Sequence, residues 1–159
     1  MRRVVITGLG MVSPLASGVE ESWSRILDGR SGAGPITRFD ASDMPCRIAC
    51  EVPKGDGSDG TFNVDDWIDA REQRRIDTFI VYAIAAAEMA IADSGWKAEN
   101  DDDAHRTGVL IGSGIGGLQW IEKMSIDLHE RGPRKVSPFF IPGSLILSLI
   151  HISEPTRPY

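Results

Sequence analysis

Two thiols and three imidazoles are the side chains best suited to covalent or acid–base chemistry: Cys46, Cys50, His105, His129 and His151. A nucleophilic thiol needs a base within hydrogen-bond reach, and that base needs a third group to orient it. The spacing supplies no such set. Cys46 follows Met44-Pro45 in a loop, Cys50 falls on a presumed strand, and the histidines lie in an acidic stretch, at a helix end and in the terminal tail. Both thiols are expected to be inert and buried, and the histidines to be solvated or capping. With no second Cys pair and no clustered His there is no metal site and no disulfide framework, which points to reducing, cytoplasmic surroundings. No G-x-S-x-G nucleophile elbow occurs.

Two other patterns could bind rather than react. Gly112, Gly114 and Gly117 have the G-x-G-x-x-G spacing between a predicted strand and a predicted helix, so they are either a dinucleotide-binding turn or a place where backbone crosses close to another element. A dinucleotide fold needs a second strand after the helix, whereas here the helix runs into Arg131-Gly132-Pro133-Arg134. Arg71, Arg74 and Arg75 stand at i, i+3 and i+4, one face of a predicted helix. They form either a local basic docking patch or an ordinary solvated face paired with Glu72 and Asp77.

The elements that must position these residues alternate between strand and helix. Val4 to Thr7 is a β-branched run closed by Gly8 and Gly10 and reads as a short buried strand. Trp23, Ile26 and Leu27 place a short helix over 20–27, and 31–61 is loop apart from a strand over Arg47–Val52. Arg71 to Asp93 is the strongest helix: Ile76, Phe79, Ile80, Ala83, Ala87, Ala90 and Ile91 recur at three- and four-residue steps, and Gly95 stands past the end. An acidic loop over 100–104, a buried strand over Thr107–Ile111 and a helix over Leu118–His129 follow. This order implies an α/β architecture.

A chain of 159 residues with 42% hydrophobic and 25% charged residues has the balance of one globular domain. A net charge of −6 argues against a nucleic-acid binder that works by phosphate neutralisation. The apolar run after Met1-Arg2-Arg3 is too short for a signal peptide, and Phe79 to Ala92 is too short for a membrane span.

Taken in order, the segments resemble one family. RRVVITGLGMVSPLASG, WSRILDGRSGAGPITRFDAS, REQRRIDTFIVYAIAAAEMAIADSG, RTGVLIGSGIGGL and RGPRKVSPFFIPGSLI are similar to the first strand, the helix and loop after it, the long buried helix, the glycine-rich turn and the loop before the nucleophile region of the elongating β-ketoacyl-[acyl carrier protein] synthases. Coverage runs from Arg2 to about Ile146. The bacterial type II fatty-acid enzyme is the near relative, with polyketide ketosynthases as the alternative.

The resemblance implies a thiolase-like fold, two α/β halves in α-β-α-β-α layers working as a homodimer, with only part of the first half in this chain. It implies decarboxylative condensation of malonyl carrier protein with an acyl group held on an active-site Cys, assisted by two His. No cofactor is implied beyond substrates tethered to the phosphopantetheine of acyl carrier protein, and no metal. By motif, Ile115 corresponds to an acyl-tunnel lining residue, Phe140 and Ile141 to residues walling the neighbouring subunit's tunnel, and Arg71, Arg74 and Arg75 to the patch that meets the carrier protein. Residues 1–146 are then a truncated synthase domain. The tail from Leu147 to Tyr159 departs from the family pattern and is read as non-native. The catalytic Cys and His pair are expected to be absent and the chain inactive. Rival readings are a small nucleotide-binding module at Gly112 and a non-catalytic carrier-protein binder.

Overall fold

The computed structural model describes residues 3–146; the tail 147–159, with His151, lies outside them. The fold is organised around one helix, α2 (Thr78–Ser94). Its sequence is apolar nearly all round, the pattern of a helix that must be buried on several sides. Ile80, Val81, Ile84 and Ala85 are buried along it and join Phe62 and Ile76 in one core, with Val12, Val52, Trp67, Tyr82 and Ile111 packed at the margin. Phe62 meets the Tyr82 ring edge to face at 5.1 Å, a favoured aromatic geometry. The helix ends as the sequence requires, on Gly95 in the left-handed conformation (φ 62°).

The N-terminal segment lies directly on α2. A Cβ on Gly10 would collide with the Ala86 carbonyl, and one on Gly8 with the Ala90 carbonyl, so only glycine lets the two backbones approach this closely. The Leu9 amide donates to Asp93 Oδ2 at 2.8 Å.

Helix α1 (Val19–Leu27) forms where expected but docks by its polar side. Ser22 is fully buried and donates to the Ala16 carbonyl, while Arg25 reaches the carbonyls of Leu15 and Asp59. Trp23, Ile26 and Leu27 face outward, with Trp23 56% exposed.

Four expectations are corrected. The runs over 4–7 and 107–111 are extended but carry no ladder among the described residues, and Val4 and Leu110 are 96% and 99% exposed. Their composition suits a sheet interior, yet no described strand lies beside them. The described pairing is instead a small antiparallel ladder of β1 (Ala33–Pro35) and β2 (Ile48–Cys50), Gly34 opposite Ala49. β2 lies in the expected strand, while β1 falls in the segment read as loop.

The third correction is the start of α2, seven residues later than the periodicity predicts. Asp69 accepts from the amides of Arg71 and Glu72 at 2.8 and 3.0 Å and its carbonyl from the Gln73 amide, the capping of a single helical turn that ends before Asp77. The helix begins afresh after Asp77. The fourth is 100–104, which is helix α3 (Asp101–His105): the Asn100 side chain accepts from the Asp103 amide at 3.0 Å, and three aspartates occupy the first turn, the arrangement that stabilises a helix N-terminus.

Helix α4 (Leu118–Arg131) follows the glycine turn, then a 3-10 turn over Pro133–Lys135 and a short helix α5 (Phe140–Ser144) packed against α4. No helix among the described residues is long and apolar enough to cross a membrane.

Candidate functional site

Three segments that are far apart in sequence meet at one junction: the Arg71–Asp77 turn, the glycine turn before α4, and the 137–144 loop. The Gly117 amide donates to the Ser144 carbonyl at 3.1 Å, and the Asp77 amide to the Gly143 carbonyl at 3.1 Å. Asp77 Oδ2 accepts from the Trp120 amide at 2.9 Å, so a carboxylate from one helix start caps the first turn of another. Gly117 is fixed by contact: a Cβ there would stand 2.7 Å from Ser144 Cα.

This geometry disposes of the nucleotide reading. Phosphate binding at a helix N-terminus needs free amides and a positive field. Here the amides of Gly117, Leu118 and Trp120 are already donated to Ser144 O, Gly116 O and Asp77 Oδ2, and the Asp77 carboxylate opposes an anion. After α4 the described residues form turns and α5, not a second strand. The glycines serve close approach at Gly117, while Gly112 and Gly114 have open space beside them.

The arginines do not share a helix face, because Arg71 to Arg75 lie in the turn ahead of α2. Arg71 and Arg74 are exposed. Arg75 differs: it pairs with Glu72 at 2.7 Å and lies 4.4 Å over the Phe139 ring, so its charge is partly satisfied and its plane is held. Asp77, a candidate partner for these arginines, is instead buried in the junction. Asp69 sits below its ordinary carboxylate range because the Glu72 and Arg71 amides bond its charged form, with the Arg71 and Arg75 charges adding to the effect.

Ile115 lies two residues before Gly117 and is 75% exposed, and Ile141, close to Gly143, is 58% exposed. Phe140 is half-buried in α5. The links at 117–144 and 77–143 therefore bring the two segments that carry these residues together, although all three sit at an open edge. Cys46 and Cys50 are both exposed, not buried: Cys46 Sγ donates to the carbonyl of Ile48, and Cys50 faces a groove beside Phe39, Val52 and Tyr82. Among the described residues no three His, Cys, Asp or Glu side chains are grouped as metal ligands. An Asp directly before an apolar helical run is a capping signal, yet the Asp77 side chain makes no cap bond to its own helix and bonds the first turn of α4 instead.

Residues 1–150 match the family described as β-ketoacyl synthase, N-terminal domain. The chain belongs to the β-ketoacyl synthase family. This synthase domain is 62% identical over 146 residues to the 3-oxoacyl-[acyl-carrier-protein] synthase 2 of Rhizobium meliloti (strain 1021), covering 92% of the chain and 35% of the relative. It is 50% identical over 145 residues to the protein of the same name from Coxiella burnetii, covering 91% of the chain and 33% of the relative. The chain thus spans about a third of the length of these relatives.

Among solved structures, the ishigamide ketosynthase/chain length factor superposes with a TM-score of 0.71 at 32% identity, over 93% of this chain and 35% of that one. A type II polyketide ketosynthase in complex with its acyl-carrier protein, AntDE:AntF, superposes with a TM-score of 0.61 at 26% identity, over 95% and 38%. The synthase domain is of the thiolase-like α/β class that these ketosynthases represent.

Proposed function

We propose that residues 1–146 form the N-terminal part of a 3-oxoacyl-[acyl carrier protein] synthase of fatty acid elongation, which condenses malonyl carrier protein with an acyl-enzyme and releases carbon dioxide. The observation that carries the reading is the junction itself: exposed Arg71 and Arg74 flank the turn that, through Asp77 and Gly143, is tied to the segments bearing Ile115, Phe140 and Ile141. In this reading Arg71, Arg74 and Arg75 meet the acidic carrier protein, whose phosphopantetheine holds the substrate. Ile115 lines the acyl tunnel, and Phe140 with Ile141 walls the tunnel of the partner subunit in a homodimer. The 62% identity to a 3-oxoacyl carrier-protein synthase supports fatty-acid duty over the polyketide alternative. The carrier protein bound in one neighbouring ketosynthase structure supports the choice of partner.

The chain by itself has no thiol placed beside a base among the described residues, so it is proposed to be inactive alone. The test is a chimera in which residues 1–146 replace the corresponding third of the Rhizobium meliloti synthase. Condensation activity by the chimera, and none by the chain alone, is expected. Converting Arg71 and Arg74 to Glu should raise the KM for carrier protein about tenfold, and less at high salt, because charge complementarity acts chiefly on encounter. An inactive but folded chimera would overturn the proposal.

A further inference from the structure

We infer that Asp77 is a positioning residue for the acyl tunnel: by holding the Ile115–Gly117 turn against the Phe139–Ser144 loop it sets which acyl chain lengths are accepted. This rests on the reading of Ile115, Phe140 and Ile141 as tunnel residues. Asp77 is only 6% exposed, and among the described residues no cation lies within ion-pair distance of it. A buried carboxylate without a counter-ion is costly unless hydrogen bonds and a favourable field hold it. Both come from one place. Oδ2 takes the Trp120 amide at 2.9 Å, and the positive end of α4, 14 residues long, faces it.

The same residue grips the second segment through its backbone, with the Asp77 amide donating to the Gly143 carbonyl at 3.1 Å. The Gly117 amide to Ser144 carbonyl bond closes the triangle. There is little slack in it. A Cβ on Gly143 would strike the Arg75 carbonyl and stand 3.2 Å from the Trp120 indole nitrogen, and that indole N–H is buried with no acceptor among the described residues. Moving α4 relative to the 137–144 loop therefore means moving Ile115, on this subunit's tunnel, relative to Phe140 and Ile141, on the partner's, and of the three bonds in the triangle the one from Trp120 to Asp77 is the one a side-chain substitution removes.

The experiment measures kcat/KM of the chimera for acyl substrates stepped in chain length, with Asp77→Asn, Asp77→Ala and Asp77→Glu. Asn keeps an oxygen for the Trp120 amide and should retain the wild-type profile. Ala, which removes the link, and Glu, which lengthens it by one methylene, should each change the ratio of long to short substrates by about tenfold or more, the scale on which pockets resolve methylenes. The KM for carrier protein should not move. Loss by the same factor at every chain length, or an unchanged profile, overturns the inference, and the Glu variant decides if the Ala variant does not fold. An Ile115→Phe variant serves as reference: if it leaves the profile unchanged, the tunnel reading itself fails, whereas if it alone shifts the profile, only the role of Asp77 fails.

Discussion

Asp69 shapes the Arg71–Asp77 turn more than the arginines do. Its carboxylate holds the Arg71 and Glu72 amides and caps a single helical turn, with Arg71 and Arg74 on that turn and Asp77 beyond it, bonded to α4. The folded carboxyl titrates below its ordinary value of 3.8, chiefly through the Glu72 amide. The sign follows: the turn's contribution to stability is complete above pH 3.8 and is lost as pH falls through the lower folded value. In an NMR titration of the chimera the Arg71 and Glu72 amides should shift with a midpoint under 3.8, and a midpoint at or above it would refute the turn. Arg75 shows why spacing misleads at this scale. Steps of three and four mark a shared face only where one helix runs through all of them, and here α2 begins only after Asp77.

Among the elements, α2 was the most legible, because an apolar helix of this length can only be a core element; its C-terminal end at Gly95 and the existence of α1 and α4 were legible too, from periodicity and glycine stops. The capped start of α3 was missed because three consecutive aspartates read as solvated loop, whereas behind an Asn cap they complement the helix N-terminus. β1 was missed because Ala-Gly-Pro has no strand signature and pairs only through its backbone. The junction was hidden for a different reason: the bonds 77–120, 77–143 and 117–144 run largely through main-chain groups, which every residue type possesses. The contact of the N-terminal segment with α2 is testable as an element. Gly10→Ala drives a methyl into the Ala86 carbonyl, and because backbone cannot yield as a side chain can, it should cost about 1–3 kcal/mol in a denaturant melt of the chimera. A change near zero would mean that the two backbones are not in contact.

At the scale of the whole molecule, the extended run Val4 to Ile6 and the side chain of Leu110 stand open to solvent. Together with Trp23, Ile26 and Leu27 on α1 they leave large apolar side chains uncovered, the kind of exposure that favours association. Purified alone, it should bind ANS strongly, elute as aggregates in size exclusion and melt without a cooperative transition. A sharp, reversible melt of a monomer would contradict this. The seat of the N-terminal segment on α2 also has a consequence in time. Leu9 and its partner Asp93 are 84 positions apart, so during synthesis at about 5–20 residues per second the first segment waits roughly 4–17 s before its resting place exists. Through that interval the Leu9 amide has no Asp93 to bond and Gly8 and Gly10 have no helix backbone to lie against, so the first segment made is among the last to be seated.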